Sequence, residues 1–338
     1  MDPPTPSWSA AIDAERLDAV SERLAAACRE HHTVVIAGHI GPDGDALGSA
    51  LALHHALSAA GARTLPTVGE TPLELEPALT ALPGVAAMVP AAALPPADEV
   101  DLLLTVDAAS PERLGSVIDL LEAGVATIVI DHHTRSTPFG DLRLVAPAAA
   151  ATAQLVALLL DALDLPLTLE VATCLYVGLV TDTGRFSYAA TDADAHLLAA
   201  RLLAAGVDQA TWNQRLYETR RLADLVLLGR GLARAGFVED VALVHTHLTA
   251  DDLALDPQGS AEGLIDLLRT ADVAAVALTL IAGPDGTWQG SLRSRGSVDV
   301  GGVAAALGGG GHRLAAGFDA LGTAEAVLDR VVDLLREA

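Results

Sequence analysis

Short uninterrupted apolar runs alternate along the chain with longer segments whose apolar residues recur three and four apart. The runs over residues 33–37, 100–106 and 126–130 carry few polar positions, the pattern of strands buried on both faces in a parallel sheet, and one more strand is expected over 64–68. Helical spacing is clear over 11–30, where Ile12, Leu17, Val20, Leu24 and Ala27 share one face, and over 46–60, which Gly61 ends. A helix is also predicted over 111–123, with Pro111 at its start, and others over 153–163 and 169–180. Thr191 is expected to cap a helix over 192–205 that stops at Gly206. The proline-rich stretch 66–96 reads as a surface connection. This alternation predicts an α/β fold, a doubly wound, mainly parallel sheet. Beyond it, strands over 241–246, 273–281 and 287–293 and a helix over 261–269 predict a second, smaller α/β module. The expected boundaries are a first domain over 10–206, an arginine-rich helical linker over 207–236 and a second domain over 237–338.

Composition narrows the function classes. At 338 residues the chain suits two cores better than one. A formal charge of −24 argues against long duplex nucleic acid as a partner. It leaves room for small phosphorylated ligands if metal ions and a few arginines supply positive charge locally. The apolar run 155–160 is cut by Asp161, so no stretch spans a membrane, and residues 1–9 lack a basic, then apolar, leader pattern. Cys28 and Cys174 lie within apolar helical patterns, which removes disulfides and thiolate metal sites. A cytoplasmic protein is expected.

The chemistry gathers where the runs end. The first run leads into His39-Ile40-Gly41-Pro42-Asp43-Gly44-Asp45, the second into Asp107, and the third into Asp131-His132-His133. Asp182 is expected just beyond a buried helix. Each has an ordinary alternative: Asp43 and Asp45 suit an Asx turn and helix cap, and Asp182 suits a loop beside Gly184. Taken together they would bring imidazoles and carboxylates to one edge of one sheet, where α/β ligands bind. A donor set without thiols suits a hard divalent ion such as Mn²⁺. His54, His55 and His196 read as structural, and the His245–His247 pair lacks nearby carboxylates. In the second module, Gly308 to Gly311 precede His312 and Arg313, and Arg293 and Ser294 stand upstream. Such a glycine run can be a hinge or can turn backbone N–H groups toward an anion.

With these motifs in order, the chain from about His31 onward resembles the stand-alone DHH–DHHA1 phosphoesterases: oligoribonucleases that also cleave 3′-phosphoadenosine 5′-phosphate, and cyclic-dinucleotide phosphodiesterases. The resemblance rests on His39-x-x-x-Asp43-x-Asp45, Asp107, Asp131-His132-His133, Thr181-Asp182-Thr183-Gly184-Arg185-Phe186 and the segment 308–317. It implies two Mn²⁺ ions, with Mg²⁺ or Co²⁺ as substitutes. His39, Asp43 and Asp107 would hold one; Asp45, Asp107, His132 and Asp182 would hold the other. His133 would contact the scissile phosphate and Asp131 would orient the imidazoles. Arg293, Ser294, Gly309, Gly310, Gly311 and His312 would hold the nucleotide across an interdomain cleft. In-line attack by a bridging hydroxide would then release mononucleotides from short RNA, 3′-phosphoadenosine 5′-phosphate or cyclic di-AMP and its linear product. The resemblance also makes a homodimer an option and places no membrane among the partners. Ala146-Pro147 and Gln154 depart from the pattern of many relatives, at positions that are not ligands. A pyrophosphatase or polyphosphatase on the same metal site, and a non-catalytic nucleotide sensor, are the competing functions.

Overall fold

The computed structural model describes residues 14–133, 136–256, 260, 261 and 263–337. The chain divides into two compact units, Met1–Glu218 and Thr219–Ala338, a division that falls inside the arginine-rich stretch 207–236.

In the first unit, helix α1 (Ala14–Arg29) precedes strand β1 (Thr33–Gly38), α2 (Gly44–Ala59) and β2 (Arg63–Val68). The first helix buries Val20, Leu24, Ala27 and Cys28; Ile12 lies outside the described residues. Short 3₁₀ turns carry the chain through the proline-rich connection to β3 (Leu102–Val106). Next come α3 (Ile118–Glu122), β4 (Thr127–Asp131), β5 (Leu142–Val145), α4 (Thr152–Ala162), α5 (Leu169–Asp182), α6 (Ala193–Ala204) and α7 (Gln209–Tyr217). The five strands are all parallel, in the order β2-β1-β3-β4-β5. Alternate residues of β1 serve opposite cores: Val34 and Ile36 pack with α1, α2, α4 and α5, whereas Val35 and Ala37 pack with Leu114, Val117 and Leu120. Both faces are therefore covered, which is why the central strands β1, β3 and β4 are buried throughout and largely apolar. The chain leaves β1 toward β2 and then returns to β3 on the other side. The switch point thus lies between the carboxyl ends of β1 and β3, where such sheets bind ligands.

Four local expectations are corrected. The region 111–123 is not one helix: a 3₁₀ segment, Pro111–Val117, breaks at Gly115 (φ 54°) before α3. Gly115 is needed there because a Cβ would stand 2.4 Å from the Gly69 carbonyl oxygen. The sheet has a fifth strand, β5, which carries little sequence signal because it is four residues long and half-buried. Asp182 is the last residue of α5, not a residue beyond it. Asp192, not Thr191, caps α6, its carboxylate accepting the Ala195 N–H at 2.9 Å.

The second unit opens with α8 (Leu222–Ala233), β6 (Gly236–Val238), β7 (Leu243–Leu248), α9 (Ala250–Ala254) and α10 (Leu264–Arg269). It continues through β8 (Val276–Ala282), β9 (Thr287–Ser294), α11 (Val300–Ala306), β10 (Gly310–His312), β11 (Ala315–Leu321) and α12 (Ala324–Glu337). The strands form one mixed sheet, β10-β11-β9-β8-β7-β6, in which only β7 and β8 run parallel. Leu243, Leu278, Leu292, Val303, Val327 and Val331 form its main core. The glycine run is not a hinge. Its second half is edge strand β10, and a Cβ on Gly309 or Gly311 would stand 2.1 or 2.6 Å from carbonyl oxygens of Gly317 and Ala315. Among the described residues no helix is long and apolar enough to cross a membrane.

Candidate active site

The switch point of the first sheet collects seven candidate donors. His39 follows β1, Asp107 follows β3, and His132 and His133 follow β4. Asp43 caps α2: its Oδ1 accepts the Asp45 and Ala46 N–H groups at 3.0 Å each, leaving Oδ2 3.7 Å from His39 Nε2. Asp45 is fully buried in the first turn of α2 and faces the start of α4. There Thr152 N–H (2.5 Å) and Ala153 N–H (2.9 Å) donate to its two oxygens, a helix N-terminus holding an anion. Asp182 reaches the cluster because α5 crosses α2 closely. Gly178 makes that possible, since a Cβ there would stand 2.8 Å from Asp45 Oδ1.

Asp107 occupies the centre. Its backbone is left-handed (φ 57°), a conformation that costs a non-glycine residue about 1 kcal/mol and that Asp tolerates better than most. Its two oxygens face two different groups. Oδ2 is 3.6 Å from His39 Nε2, whereas Oδ1 is 3.5 Å from His132 Nε2 and accepts Thr152 Oγ1–H at 2.9 Å. His132 Nε2 is in turn 3.2 Å from Asp182 Oδ2. Three sets of donor atoms lie within 4.8 Å of one another and could hold a metal ion: His39, Asp43 and Asp107; Asp45, His132 and Asp182; and Asp107, His132 and His133.

Fixed oxygens orient the imidazoles through their other nitrogen. His39 Nδ1 lies 2.8 Å from the Ile40 carbonyl, and His132 Nδ1 lies 3.1 Å from the Ala149 carbonyl. Both leave Nε2 facing the carboxylates. His133 instead turns Nδ1 to Asp131 Oδ1 at 2.7 Å. Asp131 therefore stands behind His133, and its buried Oδ2 has no hydrogen-bond partner among the described residues. Gln154 supports the same region: its Oε1 accepts the Ala150 N–H at 2.6 Å, just before Thr152.

The electrostatics fit a cation. Burial, then repulsion from Asp107, Asp182 and Asp43, pushes the Asp45 carboxyl well above the usual carboxylate range. Asp107 is raised by burial and by Asp43, and Asp182 is pushed up to about 6 by burial, with Asp107 and Asp43 adding to it. The Asp131 hydrogen bond raises His133 to about 9. Carboxylates crowded until their charges oppose one another are what a divalent ion relieves. Nitrogen and oxygen donors with no sulfur match a hard or borderline ion.

The candidates of the second unit share one end of its sheet. Arg293 on β9 pairs with Ala315, which pairs with His312 on β10, so Arg293 and His312 lie in one cross-strand row. Gly309 and the strand Gly310–His312 are exposed. Ser294 is committed locally: its Oγ accepts the Gly296 and Val298 N–H groups at 3.1 and 3.3 Å, fixing the turn after β9.

Residues 33–179 match the DHH family, N-terminal domain, and residues 253–338 match the DHHA1 domain. The chain is 36% identical over 306 residues to the bifunctional oligoribonuclease and PAP phosphatase NrnA of Thermus thermophilus, covering 90% of this chain and 89% of that protein. The chain belongs to the DHH phosphoesterase family. It is 28% identical to the cyclic-di-AMP phosphodiesterase GdpP of Geobacillus thermodenitrificans, over 88% of this chain but 46% of that protein. Among solved structures, an exopolyphosphatase-related protein from Bacteroides fragilis superposes with a TM-score of 0.87 at 24% identity, over 96% of this chain and 97% of that one. Exonuclease RecJ bound to manganese superposes with a TM-score of 0.56 at 20% identity, over 95% and 94%. These two establish the fold.

Two residues that bear on this DHH site have little sequence signal. Thr152 meets Asp107 across 45 positions and Asp45 across 107. Arg113, whose Nη2 is 2.8 Å from His39 Nδ1, announces itself only as an arginine shortly after a strand that ends in a candidate ligand.

Proposed function

We propose that the chain is a two-metal phosphoesterase that hydrolyses short RNA oligonucleotides and 3′-phosphoadenosine 5′-phosphate, with Mn²⁺ as its ion and Mg²⁺ or Co²⁺ as substitutes. The observation that carries this reading is Asp107, whose two oxygens face separate donor groups. His39, Asp43 and Asp107 would hold one ion; Asp107, Asp45, His132 and Asp182 would hold the other. Bound there, two divalent ions would supply Lewis-acid charge to the phosphoryl oxygens and acidify water. The protein's own groups do the rest. Thr152 and the first amides of α4 keep Asp107 and Asp45 fixed, so no reorganisation is needed as charge develops. His133, kept protonated by Asp131, presents its free Nε2–H to a phosphoryl oxygen.

In the second unit, Arg293, His312 and the backbone of Gly309, Gly310 and Gly311 would grip the nucleotide, and Ser294 would act through the turn it holds. The substrate class is supported by the Thermus relative, matched over nine-tenths of both chains. Cyclic di-AMP is the second reading, favoured by the match to GdpP.

The test compares kcat/KM on a diadenylate, 3′-phosphoadenosine 5′-phosphate and cyclic di-AMP, with Mn²⁺ and with Mg²⁺, for the wild type and Asp107→Ala. The expected result is turnover of the first two substrates with Mn²⁺, abolished in the variant. Equal rates in both proteins would refute the assignment, and preference for the cyclic dinucleotide would select the second reading.

A further inference from the structure

Arg113 lies in the 3₁₀ segment after β3, exposed beside the buried Leu114. Its carbonyl accepts the Ile40 N–H at 2.8 Å, tying the turn after β3 to the turn after β1. Its Nη2 is 2.8 Å from His39 Nδ1, the nitrogen that also lies 2.8 Å from the Ile40 carbonyl. One imidazole nitrogen cannot serve both partners. A carbonyl needs an N–H, whereas a guanidinium has only donors and needs a lone pair. If His39 offers Nε2 to a cation, Nδ1 carries the hydrogen and bonds Ile40, and the guanidinium must turn elsewhere.

Charge balance says where. Asp43, Asp45, Asp107, Asp131 and Asp182 bring five carboxylates to the site and two divalent ions four positive charges, so the loaded cluster holds no surplus of positive charge for an anion. An arriving phosphate is then uncompensated, and its charge grows as it reacts. A permanently charged, planar donor fork tethered at the rim of the cluster is suited to that oxygen pair.

We propose that Arg113 is a substrate-binding residue that takes the non-bridging oxygens of a phosphate mono- or diester, and that its contact with His39 is the parked position of the same side chain. This rests on the two-metal reading above, and the experiment separates the two.

Mn²⁺ is titrated by calorimetry into the wild type, Arg113→Gln and Arg113→Lys, and inorganic phosphate is then titrated into each loaded protein. The expected result is equal Mn²⁺ affinity and stoichiometry in all three. Phosphate binding should be about tenfold weaker in Arg113→Gln, the loss of one charge-assisted contact, and partly recovered in Arg113→Lys. Equal phosphate affinity in wild type and Arg113→Gln would overturn the proposal while leaving the two-metal reading standing. Loss of Mn²⁺ affinity in Arg113→Gln would overturn it too, because Arg113 would then merely orient His39. A wild type that binds no Mn²⁺ would sink both.

Discussion

Thr152→Val isolates what holds Asp107 in place. Thr152 and Asp107 are buried, at 0% and 2% exposure, and the threonine hydroxyl donates to Oδ1 at 2.9 Å. Valine keeps the shape of the side chain and retains the backbone N–H that holds Asp45. The substitution therefore removes a single donor from a buried carboxylate. Hydrogen bonds to charged groups contribute about 1.5–3 kcal/mol, and the added methyl returns about 0.8 kcal/mol, so the metal-free protein should lose about 1–2 kcal/mol. An oxygen no longer aimed should also bind its ion more weakly, by about 10- to 100-fold when a supporting hydrogen bond is lost. Calorimetric titration with Mn²⁺, together with chemical denaturation in EDTA, reads both quantities. Unchanged Mn²⁺ affinity would refute the argument that Thr152 positions the central carboxylate, whatever happens to stability.

Three further outcomes follow from particular contacts. Gly178→Ala should gain about 1 kcal/mol in helix propensity but lose more, because its Cβ would press on Asp45 Oδ1 at 2.8 Å and Ala153 Cβ at 3.1 Å; a variant as stable as wild type with full Mn²⁺ affinity would contradict this. Arg293→Ala should raise KM for a dinucleotide far more than for a small artificial phosphodiester, and equal increases would argue against a nucleotide-holding role. In the second unit, Asp252 is buried and its carboxylate accepts from Arg234 at 2.6 and 3.1 Å and from Arg230 at 3.2 Å. The Arg234 hydrogen bond holds this carboxyl well below the usual range. A depressed folded value means the pair stabilises above the unfolded value, about 4, and that this contribution fades as pH falls below it. Denaturation in EDTA from pH 5 to 2.5 should therefore show a steeper loss for wild type than for Asp252→Asn; parallel curves would show the pair contributes nothing.

The parts of the fold that were legible share one physical cause. A strand buried on both faces must be largely apolar, so β1, β3 and β4 stand out in the sequence. So do the polar residues at their ends, because His39, Asp107 and Asp131 each interrupt an apolar pattern. β5 has a half-buried edge position, and Leu142-Arg143-Leu144-Val145 resembles any short amphipathic segment. Asp182 reads as a loop residue because the apolar pattern of its helix stops at Val180 and Gly184 follows closely. Its position is set instead by the close crossing of α2 and α5, a property of two segments far apart in the sequence. The glycine run allowed both a loop and a cradle in sequence; the approach of Gly309 and Gly311 to β11 decides for a strand edge. Arg113 and Thr152 were illegible for a related reason, since each owes its place to a partner on another element.

The most direct test is anomalous scattering at the manganese edge from crystals soaked in Mn²⁺. Two peaks are expected on either side of Asp107, one also touching His39 and Asp43, the other touching Asp45, His132 and Asp182. Ions bound elsewhere, or none at these side chains, would contradict the account.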